Sequence, residues 1–182
     1  MQLNLRVLRH VRPALGACAV FFVLLGLAYP AVETGIGQAF FSHQANGSLT
    51  ASGSTLVGQK WTSPDWFVGR PDTDNPMATG GTNLGPRSKV LLGDVKAQIA
   101  ELRHAGITPT NDLVTTSGSG VDPDIAPVDA YAQVSAVAKA RGLPAAAVRH
   151  LIATQIQQPQ FGFLGSSYIN VLQLNEALAR MR

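Results

Sequence analysis

The sequence predicts a mixed α+β protein: a single N-terminal membrane-spanning helix followed by one compact exported domain that is helix-rich toward its C-terminus. Three observations predict this. Residues 13–32 are 20 consecutive positions without a charge. The following stretch sets short apolar pairs between Gly, Ser, Asn and Pro clusters, as short strands and turns do. Beyond it, several segments repeat apolar residues at helical spacing. The 182 residues leave room for one membrane element and one domain of about 150 residues, enough to bury a core.

Charge supports the division. The chain has 14 Lys and Arg against 11 Asp and Glu, a formal net charge of +3. Arg6, Arg9 and Arg12 precede the first acid, Glu33, so the remainder is formally neutral. Nucleic-acid binding needs basic side chains clustered on the folded part to displace counterions, and that class is excluded here. Charged residues are 14% of the chain, below the roughly 25% of average soluble domains. The one cysteine, Cys18, leaves no intrachain disulfide and no cysteine metal site in the body.

Taken in order, residues 1–12 form a basic arm and residues 13–32 the span. At about 1.5 Å per residue the span reaches the ~30 Å of a bilayer's hydrocarbon core. Pro13 suits a first helical position, and Tyr29 an interfacial one. No Lys or Arg follows until Lys60, so the positive-inside rule leaves the arm cytoplasmic and exports the body. Leu15-Gly-Ala-Cys18 resembles a lipoprotein cleavage box, but its apolar stretch follows the cysteine instead of preceding it. A cleavable signal would need a small-x-small exit, and its best candidate, Gly26-Leu-Ala28, runs into Tyr29-Pro30. The small cluster Gly16-Ala-Cys-Ala19 would admit a partner helix closely.

From the end of the span into residues 33–43, Val32, Ile36 and Phe40 recur every four positions, with Phe41 beside the last, which predicts a juxtamembrane helical extension over 33–43. The exported domain then occupies residues 44–182. Residues 44–60 read as short strands and turns without a helix. Residues 61–86, with Trp61, Trp66, Phe67 and many Pro, Gly and Asn, read as a long ordered loop, often functional in a compact domain. A helix is expected from Ser88 to His104, with Leu91, Leu92, Val95, Ile99 and Leu102 on one side and Gly106 as its stop. Asp112-Leu-Val-Thr-Thr116 predicts a strand entering the turn Ser117-Gly-Ser-Gly120. A second helix should start at Pro127, bury Val128, Tyr131, Val134 and Ala138, and end at Gly142. Pro144 opens a third, with Val148, Leu151 and Ile152 inward. Asn170 caps a last helix that buries Val171, Leu174, Leu178 and Met181.

No catalytic set emerges from the residues. Gly53-Ser-Thr-Leu-Val-Gly-Gln-Lys60 approaches a phosphate-binding loop, but Gln59 holds the lysine position and Trp61 follows Lys60, misplacing both ammonium and hydroxyl. It reads as a β-turn. Ser117 and Ser119, near Asp112 and Asp122, invite a Ser-His-Asp reading with His104 or His150, yet no Gly-x-Ser-x-Gly elbow is present and a tight turn is favoured. The four histidines are scattered, with no zinc spacing. Asp72, Asp74, Asp122, Asp124 and Asp129 could form an acidic face, but local turn and helix-start hydrogen bonding accounts for aspartates there. The alternative to an anchored subunit is a periplasmic hydrolase or binding protein freed by signal cleavage.

The motif-bearing segments, taken together, resemble a known family. They are Gln44-Ala-Asn-Gly-Ser-Leu49, Gly53-Ser-x-Leu-x-Gly-Gln59, Phe67-x-Gly-Arg-Pro71, Asn75-Pro-x-x-x-Gly-Gly-x-Asn-Leu-Gly-Pro86 and Asp112-Leu-Val-Thr-x-Ser-Gly-Ser-Gly-x-Asp-Pro123. Further on come Ala138-Lys-Ala-Arg-Gly-Leu143, Gly162-Phe-Leu-Gly165 and Asn170-Val-Leu-x-Leu-Asn-x-Ala-Leu178. With the N-terminal span they resemble, over nearly the whole chain, the C subunit of the Kdp potassium-transporting P-type ATPase, KdpC. Asp124 and Ala126 stand where many members have His and Ser, and Gln155-Ile-Gln157 replaces a frequent His-Thr-Glu run. These departures argue against catalytic or metal roles there.

The resemblance implies a non-catalytic accessory subunit of a high-affinity, ATP-driven potassium importer in the bacterial inner membrane. It would be single-pass, with a cytoplasmic N-terminus and a periplasmic domain. It would stabilise assembly with a channel-like subunit, a P-type catalytic subunit and a small single-span subunit. ATP and potassium would be used by the complex, with no cofactor or metal held by this chain. The family is also described as a chaperone raising the pump subunit's ATP affinity through a glutamine, which would make Gln133 a nucleotide-binding residue. The topology places Gln133 across the membrane from cytoplasmic ATP, so an indirect effect fits and direct contact conflicts. On residues alone, Gln133 beside Tyr131 and Val134 reads as a surface or packing residue.

Overall fold

The computed structural model describes residues 3–72, 75, 77 and 79–181, with side chains from residue 9 onward. It divides into two compact units, Met1–Ser48 and Leu49–Arg182.

The first unit is helical. Helix α1 runs Leu3–Phe21, the turns widen to π-helical spacing over Phe22–Ala28, and α2 continues Tyr29–Phe40. Residues Arg9–Phe40 form a 32-residue helix whose most apolar 18-residue stretch has mean hydropathy 2.2 and no burial, long enough at about 48 Å to cross a bilayer core with turns to spare. One such helix fits a single-pass membrane protein. Pro13 is inside α1 and does not start it, a correction to the sequence expectation. The proline removes one backbone donor, and the apolar run on its far side carries the helix past the interruption. A short turn of helix, α3 (Ser42–Ala45), follows. It occupies the first two residues of the region expected to be non-helical.

The second unit gathers its core from its C-terminal helices. After the hairpin β1 (Leu49–Thr50) and β2 (Gly53–Ser54), residues 61–86 form no helix or strand among those described. Ser88 then caps α4 (Lys89–His104), its hydroxyl accepting from the Leu91 N–H. Of the expected α4 face, Leu102 is buried, Leu91, Val95 and Ile99 are half-buried, and only Leu92 is exposed.

The strand expected at residues 112–116 is instead one turn of helix, α5 (Asn111–Val114). The β-branched residues favour a strand, but a strand needs a paired edge, and here Thr115 donates its hydroxyl to the Asn111 carbonyl at 2.7 Å while Leu113 is fully buried. Tertiary burial overrides local preference. Beyond the serine-glycine turn, Asp124–Ile125 forms β3, which pairs antiparallel with β4 (Ile169–Asn170), Ile125 opposite Ile169.

Helix α6 spans Pro127–Arg141 and ends at Gly142, whose φ of +66° is the left-handed conformation glycine supplies. Its buried face is Asp129, Ala130, Gln133, Val134, Val137 and Ala138. Val128 is 62% exposed, against expectation: the buried stripe passes through Ala130, Val134, Val137 and Ala138, and Val128 falls off it. Helix α7 (Ala145–Gln155) buries Val148 and Ile152, and α8 (Val171–Ala179) buries Val171, Leu172, Leu174, Asn175 and Leu178. Asn170 caps α8 by accepting from the Gln173 N–H. Phe67, from the long loop, is wholly buried in the same cluster as Leu113, Val134, Ile152 and Leu174, contributing roughly 2–3 kcal/mol of burial.

Candidate functional site

Most of the motif segments meet around residues 67–72. An extended chain points the backbone groups of successive residues to opposite sides, and a buried stretch must find partners for all of them. At Phe67 the partner is Asn175 of α8, whose Oδ1 accepts from the Phe67 N–H and whose Nδ2 donates to the Phe67 carbonyl, both at 2.9 Å. At Val68 it is Gln133 of α6: Oε1 accepts from the Val68 N–H at 2.8 Å, and Nε2 donates to the Val68 carbonyl at 3.0 Å. The Gln133 amide also reaches the Asp129 carbonyl at 3.3 Å. Two side-chain amides thus replace the neighbouring strands that a sheet would supply. Both are fully buried.

Two residues on, Arg70 bridges distant acids. Its Nη2 is 2.8 Å from Asp112 Oδ1 in α5, and its Nε is 3.2 Å from Asp122 Oδ2. Asp72 then secures the serine-glycine turn: one carboxylate oxygen accepts from the Ser117 N–H at 2.7 Å, the other from the Ser117 hydroxyl at 2.6 Å and the Asp122 N–H at 2.8 Å. The Ser117 hydroxyl accepts in turn from the Gly120 N–H. The aspartates expected as solvated turn residues are therefore internal staples, while Asp74 lies outside the described residues. The partner charge is Arg70, which lies some 40 to 50 residues away in sequence.

Backbone contact closes the junction. The Gly80 N–H donates to the Ser119 carbonyl at 2.6 Å. Gly120 has a φ of +70°, and a Cβ there would lie 2.5 Å from the Gly80 carbonyl oxygen. Gly58 donates to the Val121 carbonyl at 2.7 Å, and a Cβ on it would meet the Asp122 carbonyl oxygen at 2.6 Å. The phosphate-loop-like segment is thus a hairpin strand and a docking turn.

Electrostatics follow from burial. Asp129, capping α6 by accepting from the Ala126 N–H at 2.9 Å, has its carboxyl pushed above the ordinary range, chiefly by desolvation and further by neighbouring Asp112. Asp124 is raised too, mainly by desolvation, against a hydrogen bond from Asn170 and with Asp122 adding to the rise. It lines an open cleft of about 500 Å³ with Thr55, Gln157, Tyr168 and Gln173. Glu176 is lowered, first by its hydrogen bond from Thr50.

This arrangement holds loops; it does not activate a nucleophile. Ser117 donates to a carboxylate whose oxygens are already occupied by backbone N–H groups, and neither His104 nor His150, both exposed, is among its hydrogen-bond partners. Among the described residues no group of three His, Cys, Asp or Glu could hold a metal. Gln133 has its carboxamide committed to Val68. Asn175 and Arg70 stand in the sequence only as members of the family motifs, with no individual role marked. An amide in the apolar stripe between Leu174 and Leu178 is the signal for the first, since a buried polar group requires a partner. For the second, only the Phe67-x-Gly-Arg-Pro71 motif marked it.

Comparison with known proteins covers the same segments. The model of the family described as "K+-transporting ATPase, c chain", KdpC, matches residues 11–180. A potassium-transporting ATPase KdpC subunit of Caulobacter vibrioides is 46% identical over 184 residues, covering 94% of this chain and 93% of the relative. One from Burkholderia vietnamiensis is 48% identical over 182 residues, 92% and 94%. Another, from Sorangium cellulosum, is 46% identical over 186 residues, 94% and 98%.

Proposed function

Because this chain belongs to the KdpC family, the C chain of potassium-transporting ATPases, we propose that it anchors by one helix and presents its second unit outside the cytoplasm as an assembly element of the pump. Membership makes it a non-catalytic subunit of the potassium-transporting ATPase complex, with partner subunits. The free periplasmic hydrolase finds no support in the comparisons.

The observation that carries the topology is the charge asymmetry about the helix: Arg6, Arg9 and Arg12 precede it and no Lys or Arg follows until Lys60. The N-terminus is then cytoplasmic and the domain periplasmic. The companions in this reading are a channel-like subunit, the ATP-hydrolysing subunit and a small single-span subunit. The small-residue stretch Gly16-Ala-Cys-Ala19, exposed on α1, is the contact offered to a neighbouring helix. The second unit stabilises the complex or shapes ion access on the outer face.

The proposed link of Gln133 to ATP affinity is indirect in this reading. Its amide holds Val68, so a change at Gln133 reaches the rest of the pump through the fold of the 67–72 segment. The deciding experiment is extraction in mild detergent by a tag on this chain, identification of the companions, and potassium uptake at low external potassium with and without the chain. Recovery of pump and channel-like subunits, with loss of uptake when the chain is deleted, is the expected result. An assembled, transporting complex that forms without it would overturn the reading.

A further inference from the structure

The strongest uncommitted feature of the second unit is the hairpin after α7. Gln157 pairs with Tyr168, and Gln160 with Leu164. At its tip Phe161 and Phe163 are 80% and 75% exposed. The tip is preorganised: Phe161, Gly162 and Gly165 hold positive φ of 55°, 82° and 86°, and four backbone hydrogen bonds tie residues 159–164 together. Large aromatics held rigidly in water lose little entropy on docking and are the residues that dominate interface energies.

Charge identifies what the hairpin meets. No Asp, Glu, Lys or Arg lies between Arg149 and Glu176. Gln157, Gln158, Gln160, Ser166 and Ser167 flank the aromatics in sequence, so the segment combines an apolar centre with uncharged polar neighbours, as protein interfaces depleted of charge do. At the hairpin's root, Gln157 and Tyr168 line the open cleft that holds Asp124, its one charged lining group. A bilayer surface is a poor match, because interfacial elements recruit lipid with basic residues and this one offers a carboxylate. A second copy of the chain would set Asp124 against a neutral hairpin.

We propose that the Phe161–Phe163 tip and the Asp124 cleft together form the docking surface for another subunit of the same pump, one that supplies an apolar pocket beside a lysine or arginine. This rests on the assembly reading above. The tip is the anchor, and the acid fixes register and orientation.

The test places a photoreactive benzophenone amino acid at Phe163 in the full chain within the assembled membrane complex. Illumination is expected to join this chain to another pump polypeptide, read as a mass shift and a cross-linked peptide containing a basic residue. In parallel, the double variant Phe161→Ala, Phe163→Ala is expected to lower retention of the chain on the detergent-washed complex by about tenfold, and Asp124→Asn to lower it severalfold. Unchanged near-ultraviolet circular dichroism would confirm intact folding. Cross-links only to lipid, only to a second copy, or to nothing, in a complex that still contains the chain, overturn the proposal. Absence of the chain from the complex before any substitution overturns the assembly reading instead.

Discussion

The carboxamide of Gln133 takes both backbone groups of Val68, accepting from the N–H at 2.8 Å and donating to the carbonyl at 3.0 Å. Asn175 does the same for Phe67 from the opposite side. The two amides make the long loop a structural member of the core, and a change at either acts first on that loop.

Gln133→Ala leaves a buried N–H and carbonyl without partners, so it should cost about 2–4 kcal/mol, and Asn175→Ala a similar amount. Chemical denaturation of the full chain in detergent measures both. The double variant should cost less than the sum, because the adjacent backbone groups are freed together. Strict additivity would mean that the two amides do not share the segment.

Arg70→Lys keeps the charge and loses the fork that spans Asp112 and Asp122. An ammonium can approach one carboxylate at a time, and a loss of about 1–3 kcal/mol is expected. Proteolysis should then begin between residues 112 and 124. Protection equal to the unaltered chain would show that the bridge is dispensable.

Gly120→Ala places a methyl 2.5 Å from the Gly80 carbonyl at a φ of +70°. Gly142→Ala also meets a positive φ, but with open space around it. The second should cost about 1 kcal/mol for backbone strain alone. The first should exceed it several-fold, because the glycine loop must withdraw from the serine-glycine turn. Paired melting temperatures decide it, and equal losses would contradict the close approach.

The pH dependence has two opposite signs. Asp129 has a raised carboxyl, so the folded state binds more protons than the unfolded one. Its contribution is most favourable below the unfolded value near 4 and is lost as pH rises through the folded one. Asp129→Asn keeps the acceptor for the Ala126 N–H and should remove that decline. Glu176 is lowered, so its contribution is present above the unfolded value and disappears on acidification; Glu176→Gln should flatten the acid side. Unfolding free energies from pH 3 to 8 test both. A steeper decline in Asp129→Asn would reverse the assigned sign.

The sequence by itself determined the apolar helix, the starts of α6 to α8, the stop of α6 at Gly142 and most of their buried faces. It also determined the family, through motifs spread along the chain. These features are local: periodicity records which side of an element leaves water, and Pro, Gly and Asn mark its ends. What only the tertiary structure decided is which groups answer one another. The partner of Gln133 lies 65 residues away and that of Asn175 lies 108 away, beyond any local pattern. Asp112 read as part of a strand until burial of Leu113 and the reach of Arg70 made it one turn of helix. A buried polar side chain shows in sequence only as an exception to the apolar stripe, and its partner is chosen by packing.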